Sequence, residues 1–129
     1  MPQKTLPHDH EDGQRMLSFA KLLPEDGSIE STAEVFKQLG DPTRLKIFWL
    51  LCHCEECVVN ISAAIGMSSP AVSHHLRVLR TAGLIVGVRR GKEVYYTARS
   101  GAMHDVLHGC IEDILSIECE DRKRSDRGA

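Results

Sequence analysis

At Gly83 the chain changes hydrophobic period, and this switch most limits what it can fold into. Upstream, Val72, Leu76 and Leu79 recur at helical spacing in a stretch that runs from Pro70 to Ala82. Downstream, Leu84-Ile85-Val86 and Val94-Tyr95-Tyr96 are β-rich runs on either side of the polar turn Arg89-Arg90-Gly91-Lys92, the signature of a β-hairpin. A shorter helix precedes, from about Glu56 to Ile65, with Val58, Ile61 and Ile65 inward and Gly66 suited to end it in the left-handed conformation. The turn Met67-Ser68-Ser69-Pro70 joins the two helices. The order predicts a helix-turn-helix from Cys57 to Thr81 followed by a wing from Leu84 to Tyr96.

Three helices are expected before this unit and one after it. Met16, Phe19, Ala20 and Leu23 sit on one face of a short helix stopped by Pro24-Glu25-Asp26-Gly27. A second helix, capped by Ser28 or Ser31, carries Ala33, Val35, Phe36 and Leu39 up to Gly40. Asp41-Pro42-Thr43 starts a third, with Asp41 as N-cap and Pro42 where a missing N–H costs nothing; its buried face is read as Leu45, Phe48, Trp49 and Cys52. The last helix, Ser100 to Glu118, aligns Met103, Leu107, Cys110, Ile114 and Ile117 in a stripe that no further element covers. The expected architecture is mainly α with a β-hairpin wing, a winged helix-turn-helix that forms a homodimer through its N- and C-terminal helices. Residues 1–12 read as a flexible histidine-containing arm, 13–118 as the domain and 119–129 as a disordered tail.

With 129 residues, of which 42% are hydrophobic, there is room for one modest core and little for a two-domain enzyme. No apolar run is long enough to span a membrane, and Met1 to Pro7 lacks the apolar stretch of a signal peptide, so the expectation is a cytoplasmic protein without a membrane partner. Nothing in the chain suggests a nucleophile elbow, a glycine-rich phosphate loop or paired catalytic carboxylates, which argues against an enzyme.

The net charge of −2 disguises a segregation. Residues 74–92 hold Arg77, Arg80, Arg89, Arg90 and Lys92 and no Asp or Glu, so the local field is one that phosphate would meet favourably. On the second helix, Ser68 and Ser69 stand at the N-terminus, where hydroxyls and the helix dipole favour an anion, and Ser73, His74, His75, Arg77 and Arg80 are exposed. Arginine reads guanine bidentately and histidine bonds a base acceptor, which suits insertion into a major groove of double-stranded DNA. Arg89, Arg90 and Lys92 would lie over an adjacent minor groove or the backbone.

At these residues the chain resembles the ArsR/SmtB family of winged-helix repressors. Asp41-Pro42-Thr43-Arg44-Leu45 is similar to that family's helix start, Ser73-His74-His75-Leu76-Arg77-Val78-Leu79 to its recognition helix, and Gly91-Lys92-Glu93-Val94-Tyr95-Tyr96 to its wing. The resemblance covers about residues 30–118. It implies a homodimer that occupies an operator and is released when an effector, commonly a metal or metalloid ion, binds.

Of the five cysteines, Cys52, Cys54 and Cys57 crowd together, while Cys110 and Cys119 lie apart. Clustered thiols in a reducing compartment favour metal binding or redox chemistry over structural disulfides. Cys54-Glu55-Glu56-Cys57 is a C-x-x-C pair able to chelate one soft ion such as zinc, cadmium, lead or arsenite, but one pair does not complete a tetrahedral site. His8 and His10, which one type of family site would bring across from the other subunit, or Cys119 are the candidates for the remaining ligands. Cys57 matches the first cysteine of the family's Cys-Val-Cys-Asp motif, although Cys57-Val58-Val59-Asn60 replaces its second cysteine and its aspartate. The family's Asp-His-His-Glu site on the dimer helices falls on Ser100, Ala102, Asp113 and Ser116 and is not expected in that form. His104 and His108 stand at i, i+4 and could chelate with Glu112, or simply form a solvated face. His53, between the cysteines, is either a ligand or an exposed helix end. A thiol-redox-responsive repressor and a small metal-binding buffer protein without DNA function are the alternative readings.

Overall fold

The computed structural model describes residues 5–127. Its contacts divide the chain at Glu34–Val35 into two units. The first holds α1 (Gly13–Ala20) and most of α2 (Asp26–Leu39). Asp12 precedes α1 and the Gly13 N–H donates to the His10 carbonyl at 3.1 Å. Met16, Phe19, Leu22 and Leu23 are all exposed, and the Arg15 guanidinium lies 5.8 Å over the Phe19 ring. The helix α2 starts at Asp26, earlier than either expected serine cap. Ser31 and Thr32 lie inside it, their hydroxyls donating to the carbonyls of Gly27 and Ser28 four residues back, at 2.9 and 2.8 Å.

The second unit contains α3 (Pro42–His53), β1 (Glu56–Cys57), α4 (Val58–Ile65), α5 (Ser69–Thr81), β2 (Ile85–Arg90), β3 (Glu93–Ala98) and α6 (Ala102–Arg127). Asp41 caps α3 as expected, accepting the Arg44 N–H at 2.9 Å. Ser68 caps α5 through the Ala71 N–H, and Gly66 ends α4 with φ of 71°. The hairpin closes between Arg90 and Glu93, and Gly91 takes a positive φ while Lys92 does not, the pattern of a type II′ turn. The sheet has three strands in the order β1-β3-β2, all antiparallel. Its third strand arises because Glu56 and Cys57 pair with Tyr96 and Tyr95. The short helix therefore begins at Val58 instead of Glu56.

The core is formed by Ile47, Phe48 and Leu51 of α3, Ile61 of α4, Val72, Leu76 and Leu79 of α5, Leu84, Ile85 and Ala98 of the wing base, and Leu107 of α6. The three α5 positions are those the helical spacing predicted. On α3 the phase differs: Leu45, Trp49 and Cys52 are only half-buried. From Leu45 to Cys52 every residue except Lys46 is apolar, so periodicity within this helix cannot choose its inner face. Burial together with Glu112 pushes the Cys52 thiol up to about 11, so it stays a neutral, packed group.

The last helix does not stop at Glu118 but continues to Arg127, over part of the disordered tail expected at 119–129; residues 128–129 lie outside the described residues. Glu118 and Glu120 stand four residues before Arg122 and Arg124, the favourable orientation for i, i+4 pairing, and the basic residues suit the C-terminal end of the dipole. Of the stripe read from the sequence, Leu107 turns into the core, while Met103, Cys110, Ile114 and Ile117 remain exposed.

Candidate nucleic-acid interface and metal-ligand cluster

The reader is α4, a short turn and α5, with β2 and β3 projecting beside it. Arg77, Arg80 and His74 are exposed along α5 and Ser73 is half-buried. Ser68 and Ser69 stand exposed at its start, with the Ser68 hydroxyl already accepting the Ala71 N–H at 3.3 Å. In the wing, Arg89 and Lys92 are exposed. Arg90 is held back: its guanidinium pairs with Glu55 and lies 5.3 Å over the Tyr95 ring. Gly87 allows the hairpin to twist closely, since a Cβ there would come within 3.0 Å of the Tyr96 ring and 3.1 Å of Val94.

His75 has a partner the sequence could not reveal. Its Nδ1 accepts the Nε–H of Arg44 at 3.3 Å, and Arg44 also donates to the side-chain oxygen of Gln38 at 2.6 Å. The ring thus helps fix α5 against the start of α3. Desolvation, with Arg44 and His74 nearby, lowers the His75 pKa below its ordinary 6.5, against the opposing pull of Asp41. Asp41 is itself lowered from 3.8, chiefly by the Arg44 backbone N–H and further by the charges of His75 and Arg44, against desolvation. Both shifts make the unfolded chain the better proton acceptor. The His75 contribution is complete above 6.5 and fades as pH falls below it; that of Asp41 is complete above 3.8 and fades as pH falls through its lowered value. Thermal melts across the acid range should therefore decline in two stages, and Asp41→Ala should lower the midpoint at neutral pH and flatten the lower stage.

The two cysteines of the C-x-x-C pair stand in different environments. Cys57 is buried where β1 pairs with β3; Cys54 is exposed and its thiol donates to the Leu50 carbonyl at 3.2 Å. Both have extended backbones. Cys119 is exposed on α6, and His8 and His10 stack with ring centroids 5.5 Å apart in the first unit.

Another set of ligand atoms does converge. His53 at the end of α3 meets His108 and Glu112 of α6: the two Nε2 atoms are 3.3 Å apart, and they lie 3.5 and 3.4 Å from Glu112 Oε1. Among the described residues this is the one group of three or more His, Cys, Asp or Glu able to hold a metal ion. The Trp49 indole N–H donates to the same carboxylate oxygen at 2.8 Å. The last turn of α3 is fixed in turn by Thr97, whose hydroxyl lies 3.2 Å from the Leu51 carbonyl and 3.3 Å from that of Cys54. The sequence offered His104 and His108 with Glu112, and His53 separately; the crossing of α3 and α6 puts His53, not His104, with His108 and Glu112.

A helix-turn-helix whose second helix presents arginines, flanked by a hairpin with basic residues at its tip, defines a winged helix-turn-helix DNA-binding regulator. The bacterial regulatory protein arsR family model matches residues 41–86, and the chain belongs to the ArsR family. It is 43% identical over 95 residues to the HTH-type transcriptional regulator NmtR of Mycobacterium tuberculosis, covering 72% of this chain and 79% of that protein. It is likewise 43% identical over 80 residues to a transcriptional repressor SmtB homolog of Synechocystis, where the match covers 60% of this chain and 61% of the relative, under two thirds of its length. A cadmium resistance transcriptional regulatory protein CadC homolog of Staphylococcus aureus is 36% identical over 98 residues, covering 75% of this chain and 77% of that one. Among solved structures, the homodimeric winged helix-turn-helix DNA-binding domain Mb0332 of Mycobacterium bovis superposes with a TM-score of 0.64 at 28% identity, covering 73% of this chain and 89% of that one. No helix among the described residues is long and apolar enough to cross a membrane.

Proposed function

We propose that this chain is a cytoplasmic, homodimeric transcriptional repressor that grips an operator through α5 and the wing and is released by a metal or metalloid ion. The observation that carries the reading is the basic strip from Arg77 to Lys92, free of acidic residues, on a recognition helix and hairpin whose caps and turn are all in place. Dimerisation is supported by the unpartnered apolar residues of α6, Met103, Val106, Ile114 and Ile117, and by the homodimeric state of the Mycobacterium bovis domain. On α6 they recur at close to heptad spacing with Cys110 between them, the pattern of a helix–helix seam. Ser68, Ser69, Ser73, His74, Arg77, Arg80, Arg89 and Lys92 are the proposed DNA-facing residues, with Arg90 and His75 contributing through the geometry they hold. Release by an ion is supported by the cadmium-resistance name of one relative. Cys54 and Cys57 remain the candidates for a soft ion, which would have to draw Cys57 out of its buried position.

Fluorescence anisotropy with a DNA site selected by the purified protein tests the reading. Affinity should fall steeply with salt. Lys92→Ala should weaken selected and unrelated DNA alike, and the log–log salt slope should become shallower by about 1 for each phosphate the variant no longer neutralises. Salt-independent binding would overturn the role of the basic strip, and no binding would leave a protein without DNA function.

A further inference from the structure

We infer that His53, His108 and Glu112 form a binding site for a divalent transition-metal ion of the zinc, cobalt or nickel type, built within one subunit and tying the end of α3 to α6. Tetrahedral coordination at Zn–N and Zn–O distances of about 2.0–2.1 Å places neighbouring ligand atoms about 3.3–3.4 Å apart. His53 Nε2, His108 Nε2 and Glu112 Oε1 are separated by 3.3, 3.4 and 3.5 Å, so they already occupy three corners of such a polyhedron. In the tautomer protonated at Nδ1, each imidazole presents an Nε2 lone pair that can ligate an ion. An ion in that position accepts both lone pairs and the carboxylate charge, with the fourth corner open to water.

The surroundings hold the ligands in place. Trp49 donates its indole N–H to Glu112, the kind of outer contact that orients a metal-bound carboxylate. The His53 ring packs on Trp49 with centroids 4.4 Å apart, it meets the His108 ring in a T-shaped contact at 4.9 Å, and His104 stacks on His108 at 5.7 Å. Two imidazoles and a carboxylate select borderline ions over the thiophilic lead and arsenite that a cysteine pair would take. The position also matters mechanically. His53 is the last residue of α3, and the chain leads from it through Cys54 into β1 and α4, the first helix of the reader. An ion here would fix that junction against α6; this consequence rests on the proposed repressor role, whereas the site itself does not.

Trp49 is the only tryptophan in the chain and so reports on the site directly. Reduced, chelator-treated full-length protein titrated with cobalt(II) and with zinc should bind one equivalent per chain with a change in Trp49 emission. The cobalt complex should show visible ligand-field bands without the near-ultraviolet charge-transfer bands of thiolate ligation. His108→Ala and Glu112→Gln, with unaltered circular dichroism, should each weaken binding roughly tenfold or more. Cys54→Ser/Cys57→Ser should bind as the original does. Thiolate bands, absence of the bound equivalent in the cysteine variant, or full affinity in both His108→Ala and Glu112→Gln would overturn the assignment, as would wild-type protein that takes up neither ion. Anisotropy on the selected DNA separates the two readings: zinc bound at this site without any change in DNA affinity would leave the site standing and sink release by this ion, while DNA binding without metal uptake would sink the site and leave the DNA-binding reading standing.

Discussion

Arg77→Ala/Arg80→Ala should keep the helical content and melting behaviour of the parent chain while abolishing nearly all discrimination between its selected DNA site and unrelated sequence. Both side chains are exposed on α5 while Val72, Leu76 and Leu79 hold the opposite face in the core, so truncation removes no packing. A good bidentate arginine–guanine pair is worth about 1–3 kcal/mol, so removing two costs about 2–6 kcal/mol in each subunit, roughly thirtyfold at the low end. In a dimer both half-sites bear this penalty. The control is Lys92→Ala, which should weaken all DNA evenly. If the double variant binds the selected site as well as before, the recognition surface lies elsewhere.

Phe48→Ala should be the most damaging single truncation for the fold. Phe48 is 1% exposed and sits between Ile47 and Leu51 on α3, in the cluster that also holds the α5 and wing-base residues. Emptying such a site costs about 3–5 kcal/mol, a large share of the roughly 5–15 kcal/mol that keeps a domain folded. Denaturant titration followed by circular dichroism should show the midpoint falling at every protein concentration, superimposed on the concentration dependence that a dimer brings. By contrast Phe36→Ala should leave the stability of the isolated subunit nearly unchanged, because Phe36 is mostly exposed on α2.

The metal-ligand cluster adds a second reason to regard α3 as the hub of the molecule. One face of this helix supplies the core, Arg44 near its start engages His75 of α5, and Trp49 and His53 face Glu112 and His108 of α6. A change at the His53 end is therefore adjacent to both the reader and the helix proposed to join two subunits.

The sequence by itself determined the helix-turn-helix and the wing, because the signals that specify them are local. Asp41 and Ser68 cap with their own side chains, Gly66 and Gly91 supply positive φ where a helix ends or a hairpin turns, and Val72, Leu76 and Leu79 fall on one stripe whatever lies beyond. The same locality explains why the three ArsR/SmtB-like motifs could be recognised without coordinates. Tertiary structure decided the rest. The inner face of α3 is set by what packs on it, since a nearly uniformly apolar helix carries no phase of its own. Cys57 is buried while Cys54 stays exposed, and Glu56 and Cys57 pair with a strand almost forty residues later in the chain. Similarly, 55 residues separate His53 from His108, and no spacing rule joins them. Period and capping act over a few residues, whereas a strand pairing or a three-ligand cluster exists only once distant segments have been packed together.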